Sequence, residues 1–162
     1  MPSDLIAKEI DRLDLDSFLP YRLSVLSNKV SDAIARLYSE RFGLSIAEWR
    51  VMAVLGQTPG QNPGLSARDV ALRTAMDKVQ VSRAVAALAG TRRVQRDGDE
   101  ADGRVTRLSL TTKGRAIYDE IVPLALHLEA VFLAALTPAE RKTLDGLMEK
   151  LDRQVDSLVA IS

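Results

Sequence analysis

The chain of 162 residues contains no cysteine, which excludes disulfides, zinc–thiolate sites and any thiol redox switch. Its single histidine is His127; a Ser-His-Asp triad would need that imidazole, and no nucleophile motif accompanies it. There is no Walker loop, no GxGxxG and no HExxH segment, so no nucleotide cradle or zinc-protease helix is expected. No apolar run approaches the roughly 18 residues of a membrane span. The start, MPSDLIAKEIDRLDLD, is acidic and lacks the basic and apolar blocks of a secretory signal. The expectation is a cytoplasmic protein that is not an enzyme and has no cofactor or metal. Charge of one sign is also lacking, since the formal net charge is zero, and by itself that argues against a nucleic-acid partner.

The zero is a cancellation. Residues 66–115 hold 11 Lys and Arg against 6 Asp and Glu, whereas the remainder holds 11 against 16. A basic middle between acidic ends is the charge footprint of a polyanion-binding module joined to parts that do not touch the polyanion. Hydrophobic content of 46% with 27% charge is ordinary for a globular chain with a packed core.

Apolar residues at three- and four-residue spacing, Leu23, Leu26, Val30, Ile34 and Leu37, predict a long helix over 18–41 that stops at Gly43. Ser45-Ile46-Ala47-Glu48 has the form of a capping box and starts a second helix that ends at Gly56. GQTPGQNPG is a loop by composition. Ser66-Ala67-Arg68-Asp69 caps a short third helix over Val70 to Arg73, a turn covers Thr74 to Asp77, and a fourth helix follows to Ala89. In RDGDEADGR, Arg96 to Arg104, two Asp-Gly pairs lie between strand-like Val94–Arg96 and Val105–Leu110, which is hairpin chemistry. A long helix over 112–136 follows, with the stripe Ile117, Ile121, Leu124, Leu128, Phe132 and Ala135, and a bend expected at Pro123. Thr137-Pro138-Ala139-Glu140 starts the last helix, which carries Leu144, Leu151 and Leu158 seven apart. The fold class is therefore mainly α with a small two-stranded β-wing: a winged helix-turn-helix lobe, residues 45–111, joined to a helical dimerisation region formed by residues 1–44 and 112–162. The stripes of the outer helices are too long for so small a lobe to cover, and self-association is the economical explanation.

Turned at 100° per residue, the fourth helix puts Val81, Ala84, Val85 and Leu88 on one arc and Val79, Gln80, Ser82, Arg83, Ala86 and Ala87 on the other. The second arc is small and hydrogen-bonding. It can press close to a major groove, where Gln80 and Arg83 address base edges or phosphates and Val79 meets a thymine methyl. A helix packed on both sides is the blander alternative. Leu44-Ser45-Ile46-Ala47-Glu48-Trp49-Arg50-Val51-Met52 and Ser66-Ala67-Arg68-Asp69-Val70-Ala71 resemble the second and third helices of the MarR family of bacterial transcription regulators. Met76 to Arg83 resembles that family's recognition helix, Asp102-Gly103-Arg104 its Asp-x-Arg wing, and Leu110-Thr111-Thr112-Lys113-Gly114-Arg115 its entry to the next helix. The resemblance runs in order from residue 18 to about residue 160. It implies a homodimer through N- and C-terminal helices, winged helix-turn-helix lobes on a palindromic double-stranded operator, and release by a small, often phenolic, ligand; the leading function is a sequence-specific repressor.

The residues expected to meet DNA are Ser66, Lys78, Val79, Gln80, Ser82, Arg83, Arg92, Arg93, Asp102 and Arg104. In the family a glycine and an apolar residue usually stand between recognition helix and wing, where this chain has Arg92 and Arg93. If the family's geometry is kept, Arg92 takes a left-handed backbone position that favours glycine; the alternative is that Gly90 ends the helix early. Asp102 is expected to hydrogen-bond the Arg104 guanidinium, and Asp99 and Glu100 to point away from the phosphate backbone or to pair with Arg96 or Arg107. For the effector, an aromatic or phenolic carboxylate or its thioester, Ser24, Ser27, Asn28 and Ser31 form a polar stripe on the first helix. Trp49 and Met52 offer walls and Arg22 a carboxylate partner. The stripe reads equally as a solvated or subunit-facing surface, Trp49 alone as a core residue, and His127 as a partly exposed helix residue. Two other functions stay open: a DNA-binding factor that ignores small molecules, and a helical protein-interaction module.

Overall fold

The computed structural model describes residues 13–57 and 64–159, without the side chains of Asp156, Leu158 and Val159. The third leucine of the last-helix repeat, Leu158, and most of the GQTPGQNPG loop therefore lie outside the described residues. Among the described residues the order is α1 (Leu19–Phe42), α2 (Ile46–Gly56), β1 (Leu65–Ser66), α3 (Ala67–Thr74), α4 (Lys78–Gly90), β2 (Val94–Gly98), β3 (Thr106–Leu110), α5 (Thr112–Leu133) and α6 (Pro138–Val159). The strands form one antiparallel sheet in the order β1-β3-β2. The expected β2–β3 hairpin forms, and β1 adds a short third strand to its sheet. β1 pairs Leu65 with Leu108 and Ser66 with Arg107; two residues carry no periodicity to read, and their pairing comes from tertiary contact.

Caps explain most helix starts. The Ser45 hydroxyl accepts from the Glu48 amide at 3.2 Å, although only that half of the expected box forms. Ser66 with Asp69, Asp77 with Gln80, and Thr137 with Glu140 form complete boxes. Each satisfies amides that a helix's first turn leaves without partners. Gly43 ends α1 in the left-handed region, at φ 61°. α4 runs one residue beyond the expected Ala89, and α5 stops at Leu133, three short of the expectation, with Pro123 inside it.

The core sits where α2, α3, α4 and the sheet meet the end of α1 and the middle of α5. Val51, Met52, Val70, Leu88 and Ile121 are fully buried there, and Val81, Ala84 and Val85 seal α4 onto it. Each such aliphatic side chain contributes roughly 1.5–3 kcal/mol through burial, so α4 is anchored by one face and its other face is free. The outer helices differ. Among the described side chains no residue of α6 is buried, and Leu23, Leu26, Leu126, Phe132, Leu144 and Leu151 are all exposed.

Candidate nucleic-acid interface

On α4 the expected division of faces is observed: Val81, Ala84, Val85 and Leu88 are buried, while Val79, Gln80, Ser82, Arg83, Ala86 and Ala87 are exposed together with Lys78. Val79 leaves 57% of its surface open, so an apolar contact is available on an otherwise polar face. Gln80 is partly engaged. Its backbone N donates to Asp77 Oδ1 at 2.8 Å, and its side-chain Oε1 accepts from Asp77 N at 3.3 Å. What Gln80 has left to offer is its NH₂, a donor suited to phosphate, guanine or thymine acceptors.

Past α4 the backbone turns at Arg92, φ 57°. Arg92 N donates to Ala89 O at 3.0 Å and Arg93 N to Leu88 O at 2.8 Å, a Schellman ending with arginine where glycine is preferred. The two side chains then part. Arg92 is exposed, but Arg93 turns inward, its Nη2 donating to Phe42 O at 2.6 Å and its Nε buried without a partner. This corrects the grouping of Arg93 with the DNA contacts: its guanidinium is spent on the last carbonyl of α1. Two neighbours behave alike, Lys113 Nζ donating to Thr91 O at 3.1 Å and Arg115 Nη1 to Gly56 O at 2.8 Å. Cations so placed satisfy carbonyls at the negative ends of α1, α4 and α2. Sequence reasoning missed Lys113 and Arg115, because their partners are backbone atoms distant in sequence.

At the wing tip Asp99 is the organiser. Its Oδ1 accepts from Ala101 N at 2.8 Å and Asp102 N at 3.2 Å, and its Oδ2 from Arg107 Nε at 2.6 Å. The Arg107 guanidinium first, and then these amides, hold the Asp99 carboxyl below its ordinary range. Pairing of Asp99 with Arg107 is as expected, while Glu100 and Arg96 have no ion-pair partner among the described residues. Asp102 differs from expectation: its Oδ1 accepts from the Arg104 backbone N at 3.0 Å, not from the guanidinium. It shapes the turn and leaves the Arg104 side chain exposed and unpaired. Ser66 is half-buried in its box, its hydroxyl donating to Asp69 Oδ2 at 2.7 Å. Bonds from Ser66 are the first cause of the lowered Asp69 pKa. Of the 11 cations in residues 66–115, four are tied up inside the molecule (Arg93, Arg107, Lys113, Arg115). Arg68, Arg73, Lys78, Arg83, Arg92, Arg96 and Arg104 are exposed, with no side-chain hydrogen bond or ion pair among the described residues.

Residues 42–105 match the model of the MarR family. Over 135 residues, 83% of this chain and 91% of the relative, the chain is 27% identical to the HTH-type transcriptional repressor Rv2887 of Mycobacterium tuberculosis. Its structure resembles that of a MarR/EmrR family transcriptional regulator from Acinetobacter sp. ADP1, with a TM-score of 0.81 and 26% identity over 90% of this chain and 99% of that one. Residues 42–105 carry the MarR-family match, and the chain as a whole is similar to regulators of that family. It is a DNA-binding transcription regulator with a winged helix-turn-helix lobe. The same fold, at TM-score 0.75 and 24% identity over 86% of this chain and 96% of the other, is found in Bordetella bronchiseptica BpsR, whose DNA binding is regulated by 6-hydroxynicotinic acid.

In this chain the effector candidates are not gathered into one pocket. Ser24, Ser27 and Asn28 are exposed on the first turns of α1. Trp49 sits near the other end, its ring 5.7 Å from Tyr38 and 5.9 Å from Tyr118. Tyr38 is ten residues from Asn28, about 15 Å along a helix at 1.5 Å per residue. Met52 is fully buried in the core. Arg22 lines a cavity of about 570 Å³ with Tyr21, Leu26 and Lys29. A larger apolar groove of about 770 Å³ runs between α1 and α5, lined by Leu26, Val30, Ile34, Leu128 and Phe132, with Lys29 at its edge. Among the described residues no single helix is long and apolar enough to cross a membrane.

Proposed function

We propose that this regulator is a homodimeric repressor, with the lobe of residues 45–111 reading one half of a palindromic operator and residues 1–44 and 112–162 joining two copies. The observation that carries the reading is the outward face of α4, where Lys78, Val79, Gln80, Ser82 and Arg83 are exposed on a helix anchored by its opposite face. α4 enters the major groove, Arg92 meets phosphate beyond its end, and Arg104 is carried by the wing into the minor groove, whose negative potential attracts arginine. Ser66 and Asp102 act through the backbone conformations they hold. The test is fluorescence anisotropy of the full chain on a palindromic duplex across a salt series. A steep salt dependence with preference over scrambled duplex supports the reading; equal affinity for both, or none, rejects it.

Repression is relieved, in this reading, by an aromatic or phenolic carboxylate or its thioester. The aromatic layer Tyr38, Trp49 and Tyr118, where α1, α2 and α5 meet, supplies stacking surface, and Arg115 lies 5.1 Å from the Tyr118 ring centre as a cation beside it. BpsR, similar in fold, responds to such an acid. Trp49 is the only tryptophan, so quenching of its fluorescence by candidate aromatic acids, in step with release of operator, tests the effector class. Ser27 and Asn28, replaced together by alanine, test the polar stripe: a blunted response with DNA affinity kept assigns it to the effector, and an unchanged response to a solvated surface.

A further inference from the structure

We infer that Arg93 is a positioning residue that ties the DNA-reading lobe to α1 and thereby sets the operator half-site spacing that two joined copies accept. Phe42 is the last residue of α1, Gly43 turns the chain away in the left-handed region, and the Phe42 carbonyl has no amide four residues on to bond. Arg93 Nη2 reaches it at 2.6 Å across 51 residues of sequence, a charge-assisted bond at the negative end of the helix. The backbone of Arg93 is held from both sides. Its N donates to Leu88 O at the end of α4, and its O accepts from Thr111 N at 3.1 Å at the start of α5. A Cβ at Gly114 would collide with the same Arg93 carbonyl, so α5 closes tightly on this corner. One residue therefore joins the end of the reading helix, the start of α5 and the end of α1.

Stability alone does not account for an arginine here. Its Nε is buried with no partner among the described residues, a cost that offsets part of what the bond to the Phe42 carbonyl contributes. What the guanidinium adds is direction: a single short bond that fixes the angle between α4 and the axis of α1. In a dimer joined through the outer helices, that angle sets the separation of the two reading helices. Operators match it with half-sites about 10–10.5 base pairs apart, or a multiple of that. The inference rests on the dimeric reading above.

The experiment uses the full chain on a palindromic duplex selected from random sequence by the wild type, with its centre lengthened or shortened by one base pair. Wild type is expected to lose at least about tenfold in affinity away from the best spacing, because each base pair turns a half-site by roughly a tenth of a turn. Arg93→Leu is expected to stay a dimer by sedimentation, bind the best spacing within about threefold of wild type, and lose less than about threefold off it. Its salt slope should equal that of wild type, whereas loss of a phosphate contact would reduce the slope by about one. A spacing optimum as sharp as wild type in Arg93→Leu, or a reduced slope, overturns the inference. Arg93→Met, unbranched and of similar reach, gives the same readings if the leucine variant does not fold. Wild type indifferent to spacing rejects the dimeric reading and the tie with it, and that result is seen before any variant is made.

Discussion

Arg92 and Arg104 are adjacent tests of one idea, that exposed arginines flanking the wing meet DNA while the backbone beneath them is costly or preorganised. Arg92 holds φ 57°, which costs a non-glycine residue about 1 kcal/mol. Arg92→Gly should therefore raise stability by about that amount, or Tm by roughly 2–4 °C for a chain of this size, while operator affinity falls and the salt slope drops by about one. Thermal melts and anisotropy on the same samples check both signs; unchanged affinity would remove Arg92 from the interface. Arg104→Ala should weaken operator binding by roughly 1–3 kcal/mol if the contact is base-directed, with Tm unaltered, because its side chain supports nothing within the lobe. Asp102→Ala should cause a smaller loss through the turn, since Asp102 bonds the Arg104 amide. Asp99 makes the tip pH-dependent. Its folded pKa lies below the ordinary 3.8, so its contribution is present above that value and is lost as pH falls through the lower folded one. The NMR signals of the Ala101 and Asp102 amides, which donate to it, should shift in that acid window. In Asp99→Asn they should not.

Ser66 shows how an element can resemble a contact site. Its hydroxyl and amide both engage Asp69, closing the box that starts α3, so Ser66→Ala should cost about 0.5–2 kcal/mol of stability and leave the salt slope at the wild-type value. A lower slope with unchanged stability would make Ser66 a phosphate contact instead. The same capping chemistry explains how much of the architecture was legible before any coordinates. Ser66 and Thr137 announce helices because their oxygens satisfy amides a few residues on, and the wing follows from its Asp-Gly pairs. The faces of α4 follow from a period that burial enforces. Other features leave no local trace. β1 is two residues long and exists only through pairing with β3. Arg93 counts as one more cation in a basic segment until its partner, a backbone carbonyl 51 residues away, is known. The effector stripe on α1 and Trp49 share a helical neighbourhood in outline, yet nearly three turns of α1 separate Asn28 from Tyr38.

As a single copy, the molecule leaves long apolar faces of its outer helices open. α6 spans 22 residues, and Leu144, Leu147, Met148, Leu151 and Val155 each expose two-fifths or more of their surface. Leu126, Val131 and Phe132 on α5 and Leu19, Leu23 and Leu26 on α1 do the same. A helix without packing on its apolar face is marginal in water, and apolar surface of this extent marks an association site. Covering the five α6 side chains alone contributes roughly 5 kcal/mol, taking half the usual gain for each; that is comparable to the whole stability of a small domain. The full chain should therefore sediment at twice 17.7 kDa, and truncation before Thr137 should leave insoluble or unfolded protein. Leu144→Glu with Leu151→Glu is the gentler variant, because both side chains are already exposed within one copy. It should give folded monomer whose operator affinity is lower by roughly 10²-fold or more, since the second lobe's contribution through linkage disappears. A folded monomer that binds the palindrome as tightly as wild type would show that one lobe suffices and that the apolar faces of α1, α5 and α6 serve some other partner.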